Sequence, residues 1–489
     1  MSSLYASLNI GLTGLQSNQA ALSVVGHNIA NVQTPNYSRQ RAVMGSKGAQ
    51  PFGNLEFGQG VSLDVIMGVR DRFLDAQITR ASSKKAGSDT RYQMLEGIAS
   101  VFLDSGTDAD LSTQVQKVFQ GFQDVATKPE DLAARTGLLG AAQTLADGIR
   151  SRWQLLNDQR VSANQNLAQM VPEINSIAAE IAKLNTRIGS EVTPGAENDA
   201  RDQRQGLANR LSELVGVQVF EDTHQQLQIT LDNGAAVLVS GGRSYDMRVS
   251  PPDPALDGFS RVEMVMGGSV VVDVTGNVKE GRMGALLELR DVTLPGFQRQ
   301  LDQLASGIGG QVNLLHRNGY ALDGTTTGLN FFTGLAPVGA NGLPTTVAGA
   351  AKSLKVNTVL VGDPRLVGAA DTAGAVGNNG IARQLAALQS KANTVDTNND
   401  GVGDSGPFST TVGTLMASVG TTVQGLMSRS TGDENLMIAL QNQRNRLSGV
   451  DLDEEAMQMI AFQRGYQASA RFVSVINQLT DQLVNQLGR

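Results

Sequence analysis

Apolar residues recur in steps of seven at both ends of the chain. Near the start, Met1, Leu8, Leu15, Leu22 and Ile29 form one series. Leu4 and Val25 lie three residues after members of it, and Tyr5 and Leu12 four after. This spacing predicts a coiled-coil-like helical seam. The flanking positions carry Gln, Asn and Ser instead of the usual Glu and Lys. Gly11, Gly14 and Gly26 each cost about 1 kcal/mol relative to Ala, so the helix is marginal alone. At the other end, Asp451 and Glu454 make a helix start signal, with negative charge at Asp453 to Glu455 in the first turn. Met459, Tyr466, Val473, Thr480 and Leu487 then follow at steps of seven, with Phe462, Ser469, Ile476 and Leu483 three residues behind. Two terminal helices, residues 1–32 and 452–489, are expected to pack on each other. Their seam residues are Leu4, Leu8, Leu15, Leu22, Ile29, Met459, Phe462, Tyr466, Val473, Ile476, Leu483 and Leu487.

The interior changes period several times. Pro35 ends the first helix, because a residue before proline avoids the helical region. Residues 41–70 are Gly-rich with the alternation Val61, Leu63, Val65, an extended connector with a hairpin. Helices resume near Ser88, with Tyr92, Leu95, Ile98 and Phe102 on one face and Leu111, Val115, Val118, Phe122 and Val125 on the next. From Pro129 to Ile188 one long helix carries Trp153, Leu167, Ile174, Ile181 and Ile188 on a heptad series that Arg160 interrupts. Ile149, Leu156, Ala163, Met170, Ile177 and Leu184 form the companion series, and Pro172 sits off the seam. Alternation then takes over. Leu227, Ile229 and Leu231 lead to a turn at Asn233-Gly234, and Val262, Met264 and Met266 to a turn at Gly267-Gly268 before Val270, Val272 and Val274. Residues 215–282 therefore read as an inserted β-rich outer domain. Helical pattern returns from Met283 to His316 and from Ser409 to Leu447, while the Gly/Ala/Thr-rich stretch 320–410 is irregular. The fold class is α+β multidomain: a helical rod domain, 33–214 and 283–451, interrupted by the β insertion and flanked by the terminal helices.

Composition narrows the function. The chain has 489 residues, no cysteine, three histidines and 4% aromatics. Disulfide scaffolds, Fe–S sites and cysteine nucleophiles are excluded. A net charge of −7 lacks the basic face that nucleic-acid binding needs. There is no phosphate loop, zinc-protease motif or hydrolase elbow, so no enzyme, cofactor or metal is expected. Residues 1–38 contain no Asp, Glu, Lys or Arg, and after Arg471 only Asp481 and Arg489 are charged. The uncharged start has neither the cationic region of a signal peptide nor an unbroken apolar run, so no cleaved signal or membrane anchor is expected. Helix surfaces this poor in charge imply burial on every side, by copies of the same chain. Asp396 to Asp404 resembles the first nine positions of a calcium loop, but position twelve is Pro407. An exposed Asn/Asp/Gly turn is the stronger reading there and a calcium site the alternative.

Between the first helix and the connector lies the segment Gly26 to Gln40. Its Asn28-Ile29-Ala30-Asn31 core resembles the signature shared by rod, hook and hook-associated proteins of the bacterial flagellum. The continuation Thr34, Pro35, Asn36, Tyr37, Ser38, Arg39, Gln40 resembles the hook-associated branch. So does the C-terminal string from Phe462 to Arg471, preceded by Val450 to Glu455. The ends carry the likeness; it continues weakly at Asp202-Gln203-Arg204 and Asn313 to His316. Asn36 stands where the family usually has Gly, and Asn is the best other residue for a turn needing positive φ. Gln205 replaces an acid common in the family, which puts a local ion pair there in question. The resemblance implies a structural adaptor joining hook to filament by helical self-assembly of paired terminal helices. It further implies export through the flagellar type III channel and a chaperone on the C-terminal helix. Hook protein and hook-associated protein 3 would be the axial neighbours. Another axial subunit, or a secreted adhesin-like module acting through 215–282, is the alternative.

Overall fold

A single helix, α1 (Ser2–Ala30), opens the chain and leads through a turn into an antiparallel excursion. β1 (Gln40–Ser46) pairs with β4 (Val61–Gly68), and β2 (Ala49–Phe52) with β3 (Leu55–Gly58), which is the expected connector and hairpin. This computed structural model describes residues 2–52, 55–103, 110–191, 195–231, 234, 236–266, 270–339, 342–391 and 406–487. The turns placed at Asn233 and at Gly267-Gly268, and the calcium-like loop Asp396 to Asp404, lie outside the described residues.

The next helix, α2 (Arg72–Phe102), starts well before the expected Ser88, behind the cap Asp71, whose carboxylate accepts from the Phe73 and Leu74 N–H groups. Its first half hid in the sequence because, beyond Leu74 and Ile78, it buries small residues, Ala81, Ser82, Ser83 and Gly87. α3 (Leu111–Thr127) follows, then α4 (Leu132–Ser190), 59 residues and about 90 Å long. α4 runs through Pro172, which is exposed. Both expected heptad series of α4 face inward. α5 (Asn198–Leu214) shows little apolar period in the sequence, because its dense charge masks the buried line Ala208, Leu211, Leu214.

The β region holds two antiparallel sheets. β5 (Val217–Glu221), β6 (Leu227–Leu231), β7 (Val237–Ser240) and β8 (Arg243–Ser244) form one in sequence order. β9 (Asp246–Val249), β10 (Val262–Met266) and β11 (Val270–Asp273) form the other, with β10 central. α6 (Gly281–Glu288) continues through a π turn, Leu289–Thr293, into α7 (Leu294–His316). The stretch that showed no period contains short elements: β12 (Phe332–Thr333) paired with β13 (Lys355–Val356), and helices α8 (Ala350–Ser353), α9 (Thr358–Gly362) and α10 (Gly380–Ala387). α11 (Phe408–Ser448) and α12 (Leu452–Leu487) close the chain.

Two cores share α4 as a spine. The first packs α2, α3 and the N-terminal part of α4 with α7, the start of α11 and the irregular segment, around Phe119, Phe122, Phe331 and Phe408. The second packs the C-terminal part of α4 with α5, α6 and both sheets, around Ile174, Ile181, Ile229 and Met264. At the border sits Arg160, the heptad exception. It is buried and donates to the Arg290 carbonyl, Gln298 Oε1 and Asp257 Oδ2.

Candidate assembly site: the terminal helices and the turn that ties them

α1 and α12 run antiparallel. An added Cβ on Gly11 would lie 2.6 Å from Val473 Cγ2, one on Gly14 3.0 Å from Ser469 Oγ, and one on Gly465 2.5 Å from Asn18 Oδ1. The glycines that weaken the isolated helices therefore permit close approach of the pair. Gly11, Ser17, Ala21, Val24, Val25 and Asn28 form the buried line of α1, which packs on β1 and β4 as well as on α12. Leu4, Leu8, Leu15, Leu22 and Ile29 flank that line and are half-buried. On α12, Phe462, Tyr466 and Val473 are half-buried and Ile476 is buried. Met459 and Leu483 are exposed, and the side chain of Leu487 is outside the described residues. The only extensive neighbour of α12 among the described elements is α1. Its outer face leaves Met457, Ile460, Val475, Leu479 and Val484 open, and Tyr5 and Leu12 are open on α1.

The turn after α1 is built by its own side chains. Asn31 donates from Nδ2 to the His27 carbonyl at 3.0 Å and accepts the Thr34 hydroxyl at 3.0 Å. Pro35 is exposed, and Asn36 adopts φ 64°, the positive value the turn demands. Its carbonyl accepts from Arg444 of α11 at 2.7 Å.

A polar knot follows. Asn28 is 1% exposed and makes four hydrogen bonds. Its Nδ2 donates to the Gln40 carbonyl at 2.8 Å and to Glu455 Oε2 at 3.0 Å. Its Oδ1 accepts from the Gln40 N–H at 2.9 Å and the Tyr37 hydroxyl at 2.8 Å. Arg39 donates from Nε to Glu455 at 2.7 Å and from both terminal nitrogens to Glu454 at 2.8 and 2.7 Å. The Arg39 N–H reaches the Ser448 carbonyl. The Ser38 N–H donates to Asp202 at 2.6 Å, and Gln40 Nε2 to Asp199 at 2.8 Å. Residues from α1, the turn, β1, α5, α11 and α12 thus meet at one point.

Electrostatics keeps each group in its role. Burial, with Asp199, Asp202 and Glu455 nearby, pushes the Tyr37 hydroxyl well above its ordinary range, so it stays a neutral donor. The hydrogen bond from Arg39 holds Glu454 below the usual carboxylate value. Burial raises Asp202, against the pull of the Ser38 N–H and Arg70. Arg70 also donates to Gln205 at 3.2 Å, so a hydrogen bond from the guanidinium to a neutral amide stands where an ion pair was in question. Sequence reasoning missed the partners Asp199, Asp202, Arg444, Ser448 and Glu455. They are scattered over three helices, and no local pattern links them.

No helix among the described residues is long and apolar enough to cross a membrane, and no cluster of His, Asp and Glu among them could hold a metal ion. Long helices, a paired set of termini with open apolar faces and a polar tie to the body define a structural assembly subunit. Comparison with known proteins agrees. Residues 95–332 match the family described as flagellar hook-associated protein FlgK helical domain. Residues 441–487 match the flagellar basal body rod FlgEFG protein C-terminal family, and residues 8–37 the flagella basal body rod protein family. Flagellar hook-associated protein 1 of Salmonella typhimurium is 27% identical over 99% of this chain and 100% of its own length. The protein of that name from Bacillus subtilis is 24% identical over 100% of this chain and 99% of its own. The flagellar hook junction protein FlgK from Burkholderia pseudomallei superposes with a TM-score of 0.48 at 28% identity, covering 54% of this chain and 47% of that one. Over essentially its whole length the chain is similar to flagellar hook-associated protein 1, among the rod, hook and hook-associated axial proteins.

Proposed function

We propose that the chain is the structural adaptor joining the flagellar hook to the filament. The observation that carries this reading is the α1–α12 pair, tied to the body at one end and apolar on its outer face. Residues 1–32 and 452–489 form the inner tube domain, 33–214 and 283–451 the rod domain, and 215–282 the outward-facing β domain. Before assembly the terminal helices are mobile. On assembly they pair, and neighbouring copies cover Met457, Ile460, Val475 and Leu479. Exposed Met459 and Leu483 extend the same low-charge surface. Coupling helix formation to binding keeps free subunits from polymerising early.

The role is structural and not catalytic. The axial neighbours are hook protein on one side and hook-associated protein 3 on the other. The subunit reaches its extracellular position through the flagellar type III channel without cleavage, its C-terminal helix held by an export chaperone.

Removal of residues 1–32 or 452–489 is expected to leave a folded monomer that cannot join hooks. Complementation of a strain lacking the protein, viewed by electron microscopy, tests this. Hooks without filaments, with filament subunits shed into the medium, are expected; truncations that restore filaments overturn the reading.

A further inference from the structure

We infer that Asn28 and Arg39 form a carboxylate socket, held by segments other than α12, that sets the register of the terminal helix pair. This rests on the reading that α1 and α12 pair on assembly. The socket is held by segments other than α12. Asn28 is fixed by two bonds to Gln40 and one from Tyr37, and Arg39 by its own N–H on Ser448 and its carbonyl on the Val69 N–H. What α12 brings is Glu455, whose side chain is 0% exposed, and Glu454 beside it. Glu455 then fills the remaining Asn28 proton and Arg39 Nε, at 3.0 and 2.7 Å.

The rest of the seam specifies register weakly. Small and apolar side chains recur every seven residues on both helices, so a slide of one heptad, about 10.5 Å, still faces small or apolar groups with one another. The polar end forbids it. A slide by seven puts Asn28 opposite Phe462 and leaves Arg39 and the Asn28 amide without a carboxylate. A buried polar group that fixes helix register at one position is an established physical device. The competing determinant is steric, the notch of Gly11 that admits Phe472 and Val473.

Engineered disulfides separate the two, because the chain has no cysteine of its own. A Cβ on Gly14 lies 3.7 Å from Ser469 Cβ, within disulfide range. Gly14→Cys with Ser469→Cys reports the native register, and Gly14→Cys with Ile476→Cys the shifted one. Both pairs are oxidised in the full chain assembled onto isolated hooks. In the otherwise unchanged chain only the native pair should close. Adding Glu455→Ala should raise the shifted product about tenfold or more, and Glu455→Gln, which keeps an acceptor, should raise it less. A shifted product that stays absent with Glu455→Ala overturns the proposal in favour of the Gly11 notch. Loss of both products with Glu455→Ala also overturns it, as a tie needed for pairing itself. Failure of the native pair to close in the otherwise unchanged chain refutes instead the reading that the termini pair.

Discussion

Replacing Asn28 with Asp changes one group and almost no volume. It turns the Nδ2 donor into an oxygen facing the Gln40 carbonyl at 2.8 Å and Glu455 Oε2 at 3.0 Å. Two hydrogen bonds become contacts between acceptors, at a position 1% exposed. Lost bonds contribute roughly 1 kcal/mol each, and stranding buried partners adds about 1–3 kcal/mol more. A negative charge beside Glu455 raises the cost further, so Asn28→Asp should weaken the tie between the termini and the body by about 3–5 kcal/mol at neutral pH. The sign of its pH dependence follows. Burial and the Glu455 carboxylate raise the pKa of the introduced acid, so the penalty is full above that value and shrinks as pH falls and the acid becomes a donor. In the chain assembled onto isolated hooks, hydrogen exchange of residues 452–487 should speed by about a hundredfold or more at pH 7.5 and less, after correction for intrinsic rates, at pH 5.5. Unchanged protection in the variant at both pH values would refute the reasoning.

Other expectations follow from single contacts. Gly11→Leu drives a side chain into Phe472 and Val473 and should weaken pairing by about 1–3 kcal/mol, whereas Gly26→Ala, with open space around it, should strengthen α1 by up to about 1 kcal/mol; circular dichroism melts of the two variants compare them. His316 is buried, its Nδ1–H donating to the Leu329 carbonyl and its Nε2 accepting from the Gly368 N–H, and burial holds its pKa down at about 4. An unfolded histidine titrates near 6.5, so stability is full above that pH and falls by about 3 kcal/mol as pH drops toward 4; denaturant midpoints across that range should show the slope, and His316→Asn should flatten it. Arg160→Met removes the donors to Arg290, Gln298 and Asp257 and should cost about 2–4 kcal/mol, with faster exchange around residues 253–262 as the measurement.

Much of the helical architecture was legible because it is periodic. The heptads of α4 placed its buried face, whereas those of α12 include exposed Met459 and Leu483, and alternation at Leu227, Ile229 and Leu231 placed a strand. The motif from Asn28 to Gln40 pointed to the family before any coordinates did. The first half of α2 and all of α5 were not legible, since they bury small or charged-flanked faces that carry weak hydrophobic contrast. The segment 320–410 was illegible for another reason. Its apolar residues, such as Phe331, Phe332 and Leu360, fill gaps on surfaces supplied by α3, α4 and α7, so their order answers to distant neighbours and not to a local period.

The uncharged N-terminus by itself determined that α1 is no solvated helix and that its partner lies elsewhere in the chain or its copies. Only the tertiary structure decided which face does what. The leucines that mark the heptads are half-buried, while Gly11 and Gly14 on α1 and Gly465 on α12 sit where a Cβ would meet the partner helix, because two backbones that approach closely leave no room for larger groups. Only the tertiary structure, too, brought Asn28 to Glu455. A hydrogen bond spanning most of the chain has no signature in sequence spacing, since its geometry is set by every helix that lies between.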